Sequence, residues 1–116
     1  MIGIDLIKTS RMEKMLQKFG EKALQKFLCE SEIELVKNYK TASGFWAVKE
    51  ATSKALGVGI GSQCSFKDMV ITKTNKGAPV LNLSAKITKN FNIKDSSVSI
   101  THDGDYAIAV VVIEKN

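Results

Sequence analysis

Apolar residues crowd the first positions of the chain. Ile2 to Ile7 reads as a short strand, interrupted by a single acid, Asp5. Ser10-Arg11-Met12-Glu13 fits a capping box, in which a hydroxyl accepts from the first helical turn and a glutamate reaches back. Behind it Met12, Leu16, Phe19, Ala23 and Phe27 recur at helical spacing, predicting one apolar helix face over residues 10–28. Gly20 predicts a break or bend there, since an interior glycine costs about 1 kcal/mol relative to alanine. Ser31-Glu32-Ile33-Glu34 is a second capping-box pattern, opening a helix that carries Ile33, Val36 and Tyr39.

Residues 40–44 (Lys-Thr-Ala-Ser-Gly) read as a polar linker, followed by a helix from Phe45 to Leu56 that stops at Gly57. Ala47, Val48, Ala51 and Ala55 give that helix a narrow face that lets a neighbouring backbone approach. Trp46, Glu50 and Lys54 line another face, one turn apart. After the alternating Gly57, Gly59 and Gly61, Phe66–Thr72 and Pro79–Leu83 are strand-like and flank an Asn75-Lys76-Gly77 turn. Ser84–Phe91 reads as a short helix. Val98–Thr101 and Tyr106–Glu114 read as strands joined by a turn over 102–105. The order predicts an α+β fold: a single domain over residues 1–116, with helices packed on a mainly antiparallel β-sheet.

Composition narrows the class. With 44% hydrophobic and 25% charged residues, the 116-residue chain excludes disorder and a disulfide-stapled miniprotein. The longest apolar run, Ala107 to Ile113, falls far short of the ~20 residues of a membrane-spanning helix. The start, Met1-Ile2-Gly3-Ile4-Asp5, places an acid where a signal peptide has basic and then apolar residues. Cys29 and Cys64 lack metal-ligand or redox-motif spacing and read as reduced thiols of a cytoplasmic protein.

The formal net charge is +5. Lys8, Arg11, Lys14, Lys18, Lys22 and Lys26 stand against only Glu13 and Glu21, so this segment alone contributes 6 − 2 = +4. Such a stripe is either a solvated helix face or a surface for an acidic partner.

Three residues are candidates for chemistry. Asp5 lies in an otherwise apolar strand, where an ionised carboxylate needs a cation or hydrogen bonds. It reads equally as a helix-capping acid or as a ligand. Glu50 could pair with Lys54 one turn on, or join a second carboxylate and substrate phosphates around Mg²⁺. His102 is the only histidine, which excludes a His-rich zinc site. No nucleophilic serine, dinucleotide fingerprint or P-loop is readable.

Taken together, four blocks resemble the holo-acyl-carrier-protein synthases, the small 4'-phosphopantetheinyl transferases. Gly3-Ile4-Asp5-Leu6 with Arg11-Met12 resembles the family's opening. Trp46-Ala47-Val48-Lys49-Glu50-Ala51 and Lys54-Ala55-Leu56-Gly57-Val58-Gly59-Ile60 resemble its F-A-x-K-E-A-x-x-K-A-x-G-T-G-I signature. Gly77-Ala78-Pro79 resembles its glycine-x-proline segment, and Ser99-Ile100-Thr101-His102 with Tyr106-Ala107 its ending. Phe45 stands where many members have arginine, Val58 replaces a threonine, and Asp103 follows the histidine where threonine is frequent.

The resemblance implies transfer of the phosphopantetheine arm of coenzyme A to a serine of apo acyl carrier protein, with adenosine 3',5'-bisphosphate leaving. It implies that Asp5 and Glu50 ligate Mg²⁺, that Glu50 is the base directly or through a water, and that Lys54 offsets phosphate charge. It assigns Lys49, Lys54, Gly77, Pro79, Thr101 and His102 to the coenzyme pocket. Acyl carrier proteins are acidic, so Arg11, Lys14, Lys18 and Lys22 become their docking face. The family implies a homotrimer with sites at subunit interfaces. A non-catalytic module for coenzyme A, nucleotide or RNA, or a membrane-surface protein, would also use a basic face. The RNA reading leaves the carboxylate pair unexplained, and the membrane reading must accommodate Glu13 and Glu21 and a helix without tryptophan.

Overall fold

The computed structural model describes residues 1–116. The first strand, β1 (Ile2–Lys8), runs antiparallel to the last, β5 (Tyr106–Lys115), which also pairs with β4 (Ile93–Asp103), giving the order β1-β5-β4. Asp5 and Ile100 both pair with Ala109, so they lie level on the two outer strands. The inner face carries Ile7, Ala107, Ala109, Val111 and Ile113, all buried. Onto this face packs the longest helix, α4 (Tyr39–Leu56), with Ala47, Ala51 and Ala55 buried against it. Gly3 makes the approach possible. A Cβ at that position would overlap the Ala51 carbonyl oxygen and come within 2.6 Å of the Ala55 nitrogen.

A hairpin of β2 (Met69–Lys73) and β3 (Pro79–Leu83) forms a second, two-stranded sheet, closed as predicted by a turn in which Gly77 has φ 85°. The helices α1 (Thr9–Phe19), α2 (Glu21–Gln25), α3 (Glu30–Ile33) and α5 (Ala85–Asn90) complete the α+β domain, and Gly20, at φ 59°, separates α1 from α2. Phe27, Trp46 and Phe66 pack edge-on or tilted with ring centroids 5.1–6.2 Å apart. No helix is long and apolar enough to cross a membrane.

Local expectations failed where another group, near or distant in sequence, supplied a better partner. Ser10 does not cap α1: the helix starts at Thr9, whose amide and hydroxyl both donate to the Asp105 carbonyl, at 2.7 and 3.1 Å. Cys29, not Ser31, precedes α3, and Glu32 accepts from the Cys29 amide at 2.9 Å. That helix ends at Ile33, so Val36 lies outside it and Tyr39 opens the next one.

Residues 40–44 are no linker but the start of α4, because the Asn38 side chain accepts from the Lys40 and Thr41 amides at 2.9 and 3.3 Å. Gly44 is there for packing: a Cβ would stand 3.1 Å from Ile100 Cγ2 and 3.4 Å from His102 Nε2. Phe66–Asp68 is a 3-10 turn rather than strand, and β4 extends through His102 and Asp103, leaving Gly104-Asp105 as the turn. Phe19, expected on the apolar face, is 46% exposed, with the Lys18 and Lys26 ammonium groups 5.2 and 5.1 Å from its ring.

Candidate active site

Alternation along β1 turns Gly3, Asp5 and Ile7 toward α4 and leaves Ile2, Ile4 and Leu6 exposed. With Gly3 pressed on Ala51 and Ala55, Asp5 meets the Glu50–Lys54 face of the helix. Lys54 Nζ donates to Asp5 Oδ1 at 2.9 Å and to the Ile4 carbonyl at 3.3 Å. The Asp5 side chain is 13% exposed and that of Lys54 54%. The Glu50 carboxylate has no hydrogen-bond or ion-pair partner, and its backbone carbonyl accepts the Ser53 hydroxyl. Burial raises the Glu50 pKa above the ordinary glutamate value, nearby Asp5 raises it further, and Lys54 opposes both.

Two hard carboxylates close enough for Asp5 to raise the proton affinity of Glu50, the latter unpartnered, suit a small divalent cation. No third Asp, Glu, His or Cys joins them, which leaves room for water and substrate oxygens in the shell of a bound cation.

A second cluster lies on the other side of α4. Gly77, Pro79 and His102, three of the residues the resemblance assigns to a pocket, converge on an open cavity of about 240 Å³ completed by Thr41, Phe45, Lys73 and Ile100. His102 Nε2 lies 2.9 Å from the Lys40 carbonyl. Lys73 Nζ stands 5.6 Å above the Phe45 ring and 3.4 Å from the Gly77 carbonyl. The buried Phe45 thus leaves this cavity with Lys73 as its one cationic side chain, a residue the sequence reading missed for want of any motif around it.

Thr41 and Glu50, like Phe45 and Lys54, are nine positions apart on α4, which at about 100° per residue puts the two clusters about 180° apart around the helix.

Three expected pocket residues stand elsewhere: Lys54 lies in the first cluster, on Asp5, and Lys49 and Thr101 lie in neither. Lys49 is sealed in the core at 1% exposure, and its three protons go to the Phe27 carbonyl (2.7 Å), Glu32 Oε1 (2.8 Å) and the Phe66 carbonyl (3.3 Å). That leaves none for a ligand. Thr101 alternates with Ile100 and His102 along β4, and the latter two line the cavity while Thr101 does not. Arg11, Lys14, Lys18 and Lys22 are all exposed, as a docking face requires.

Residues 1–111 match the profile of the 4'-phosphopantetheinyl transferase superfamily. The chain belongs to that superfamily. Among its relatives, the holo-[acyl-carrier-protein] synthase of Sulfurimonas denitrificans is 66% identical over 98% of this chain and 94% of its own length. That of Campylobacter lari is 53% identical over the full length of both. A crystal structure of the Helicobacter pylori holo-[acyl-carrier-protein] synthase in complex with coenzyme A superposes with a TM-score of 0.95, at 48% identity, covering 98% of this chain and all of that one. The fold expected from the resemblance is the fold observed.

Proposed function

We propose that the protein transfers the 4'-phosphopantetheine moiety of coenzyme A to a serine hydroxyl of apo acyl carrier protein in the cytoplasm, releasing adenosine 3',5'-bisphosphate, with Mg²⁺ as cofactor. The observation that carries this reading is the Asp5–Glu50 pair beside Lys54, in a chain whose relatives across nearly its whole length are holo-[acyl-carrier-protein] synthases. Phosphoryl transfer depends on positioning and on charge neutralisation. Asp5 and Glu50 would hold the cation, which when bound would supply that neutralisation to the phosphate charge.

The chain's own groups do the rest. Glu50, with proton affinity raised by burial and by Asp5, is suited to take the serine proton directly or through one water. Lys54 is long and half exposed, so its ammonium can reach a phosphate. Gly77, Pro79, Lys73 and His102 offer the nucleotide a shallow, mixed apolar and basic cavity. Arg11, Lys14, Lys18 and Lys22 steer and orient the acidic carrier.

The same geometry supports assembly with further copies. The outer face of β1 exposes Ile2 (70%), Ile4 (59%) and Leu6 (57%), continued by Val112 (46%) on β5. An apolar face of this kind favours association with further copies. One coenzyme cannot easily touch two clusters on opposite sides of α4, but two adjoining chains can each present one. Both observations support a homotrimer with sites between subunits.

The deciding experiment is intact-mass spectrometry of an apo acyl carrier protein incubated with this protein, coenzyme A and Mg²⁺. Gain of one phosphopantetheine arm, lost with EDTA and in Asp5→Ala and Glu50→Ala, is the expected result. Unchanged carrier mass, with coenzyme A bound to folded protein, would reduce the protein to a binding module.

A further inference from the structure

We propose that Lys54 is an internal stand-in cation, whose ammonium holds Asp5 closed to a divalent metal until a phosphate draws it away. The inference rests on the Asp5–Glu50 pair being the metal site proposed above. Lys54 Nζ sits 2.9 Å from Asp5 Oδ1 and 3.3 Å from the Ile4 carbonyl, so it occupies the space immediately outside one of only two carboxylates available for a metal. Glu50, by contrast, is unpartnered. The pair is therefore asymmetric: one carboxylate is already neutralised by the protein and the other is not.

A dication approaching the pair meets an ammonium in contact with one of its ligands, and like charges at such separations repel by kilocalories in a partly desolvated site. Release is easy on the lysine side. Lys54 is one turn from the helix end at Gly57, its side chain is 54% exposed, and four flexible methylenes carry its charge. A pyrophosphate, with two negative charges against the one of Asp5, draws the ammonium more strongly, and a metal would then compensate the bared Asp5 carboxylate. Anion and metal thereby help each other: the anion takes the ammonium, which bares Asp5, and the metal takes Asp5, which frees the ammonium. Thermodynamic linkage makes this coupling reciprocal.

Binding of Mn²⁺, followed through the free-ion electron paramagnetic resonance signal, tests this without turnover. The proteins are the wild type, Lys54→Met, Lys54→Gln and Asp5→Asn, each with and without coenzyme A. Without nucleotide, both Lys54 variants should bind Mn²⁺ about tenfold more tightly than the wild type, as expected for deleting one adjacent positive charge. Coenzyme A should tighten Mn²⁺ binding strongly in the wild type and distinctly less in either variant. Equal or weaker Mn²⁺ binding by the Lys54 variants, with Asp5→Asn deficient, overturns the stand-in role and leaves the metal site intact. Wild-type affinity in Asp5→Asn overturns the metal site and this inference with it. Two lysine variants of different polarity guard against a packing artefact in either one.

Discussion

Lys49 and Glu32 meet at 2.8 Å with 1% and 0% of their side chains exposed. Glu32 also accepts the Cys29 amide on one oxygen and the Ile71 amide on the other, at 2.9 Å each. One buried ion pair thus ties α4 to the α2–α3 connection, to the 3-10 turn at Phe66 and to β2. Burial lowers the Lys49 pKa below the ordinary lysine value, against the pull of Glu32. Removing one partner of such a pair costs about 3–5 kcal/mol, because the other is left charged and unpaired. Lys49→Met and Glu32→Gln should therefore both be strongly destabilised in urea unfolding, while folded protein retains its coenzyme A affinity. A stable Lys49→Met that had lost that affinity would return Lys49 to the coenzyme pocket.

Gly3→Ala should damage the active site through the backbone. The added Cβ has no room against the Ala51 carbonyl and the Ala55 nitrogen, so β1 must lift from α4 and carry Asp5 away from Glu50 and Lys54. A loss of at least about 1–3 kcal/mol is expected for forced overpacking. Transfer activity should fall by more than the folded fraction does, as rate measurements below the unfolding transition would show.

Glu50 gives the protein a pH signature. Its raised pKa means that the folded protein holds the proton more tightly than the unfolded chain. Stability from this group is thus fully present below the ordinary value of 4.5 and declines as pH rises through the raised one. Function runs the other way, because only ionised Glu50 can ligate a cation or accept a proton. Activity should fall on acidification as Glu50 takes up its proton and gives up the cation, and Glu50→Gln should be inactive yet, without metal, at least as stable as wild type at neutral pH. Calorimetry across pH on both proteins checks the sign.

Neutralising Lys14, Lys18 and Lys22 together should weaken carrier-protein binding by about tenfold, mainly through slower association, and flatten its salt dependence. Coenzyme A affinity should not change, since neither cluster beside α4 includes these residues. Association rates at two ionic strengths distinguish this from a solvated helix face, for which nothing would move.

Placing charge on the outer sheet face tests assembly. Ile4→Lys with Leu6→Lys should convert the protein to monomer in sedimentation and abolish transfer, while preserving circular dichroism, because both side chains already face solvent in the single chain. An active monomer would remove the interface-site proposal.

Much of the fold was legible in local pattern. Short apolar runs marked β1 and β5, Gly20 and Gly57 marked helix ends, Asn75-Lys76-Gly77 marked a hairpin turn, and Ser84 marked the start of α5. These signals are local because their causes are local: φ angles, caps and side-chain periodicity within a few residues. Some errors had local causes, as where Asn38 capped α4 and Glu32 accepted the Cys29 amide, and others arose where a partner came from far along the chain. Asp105 set the start of α1, and Ile100 and His102 explain why a glycine stands inside α4 at position 44.

The site divides in the same way. Asp5, Glu50, Lys54, Gly77, Pro79 and His102 could be singled out by residue type and family resemblance, because chemistry demands those groups wherever they stand. Only the tertiary structure decided who meets whom. It sealed Lys49 in the core, turned Thr101 from the cavity, brought in Lys73 over Phe45, and paired Lys54 with Asp5 across 49 positions of sequence. Sequence determines which charges the chain carries. Burial and distance, which exist only once strand and helix have packed, determine what each charge can do.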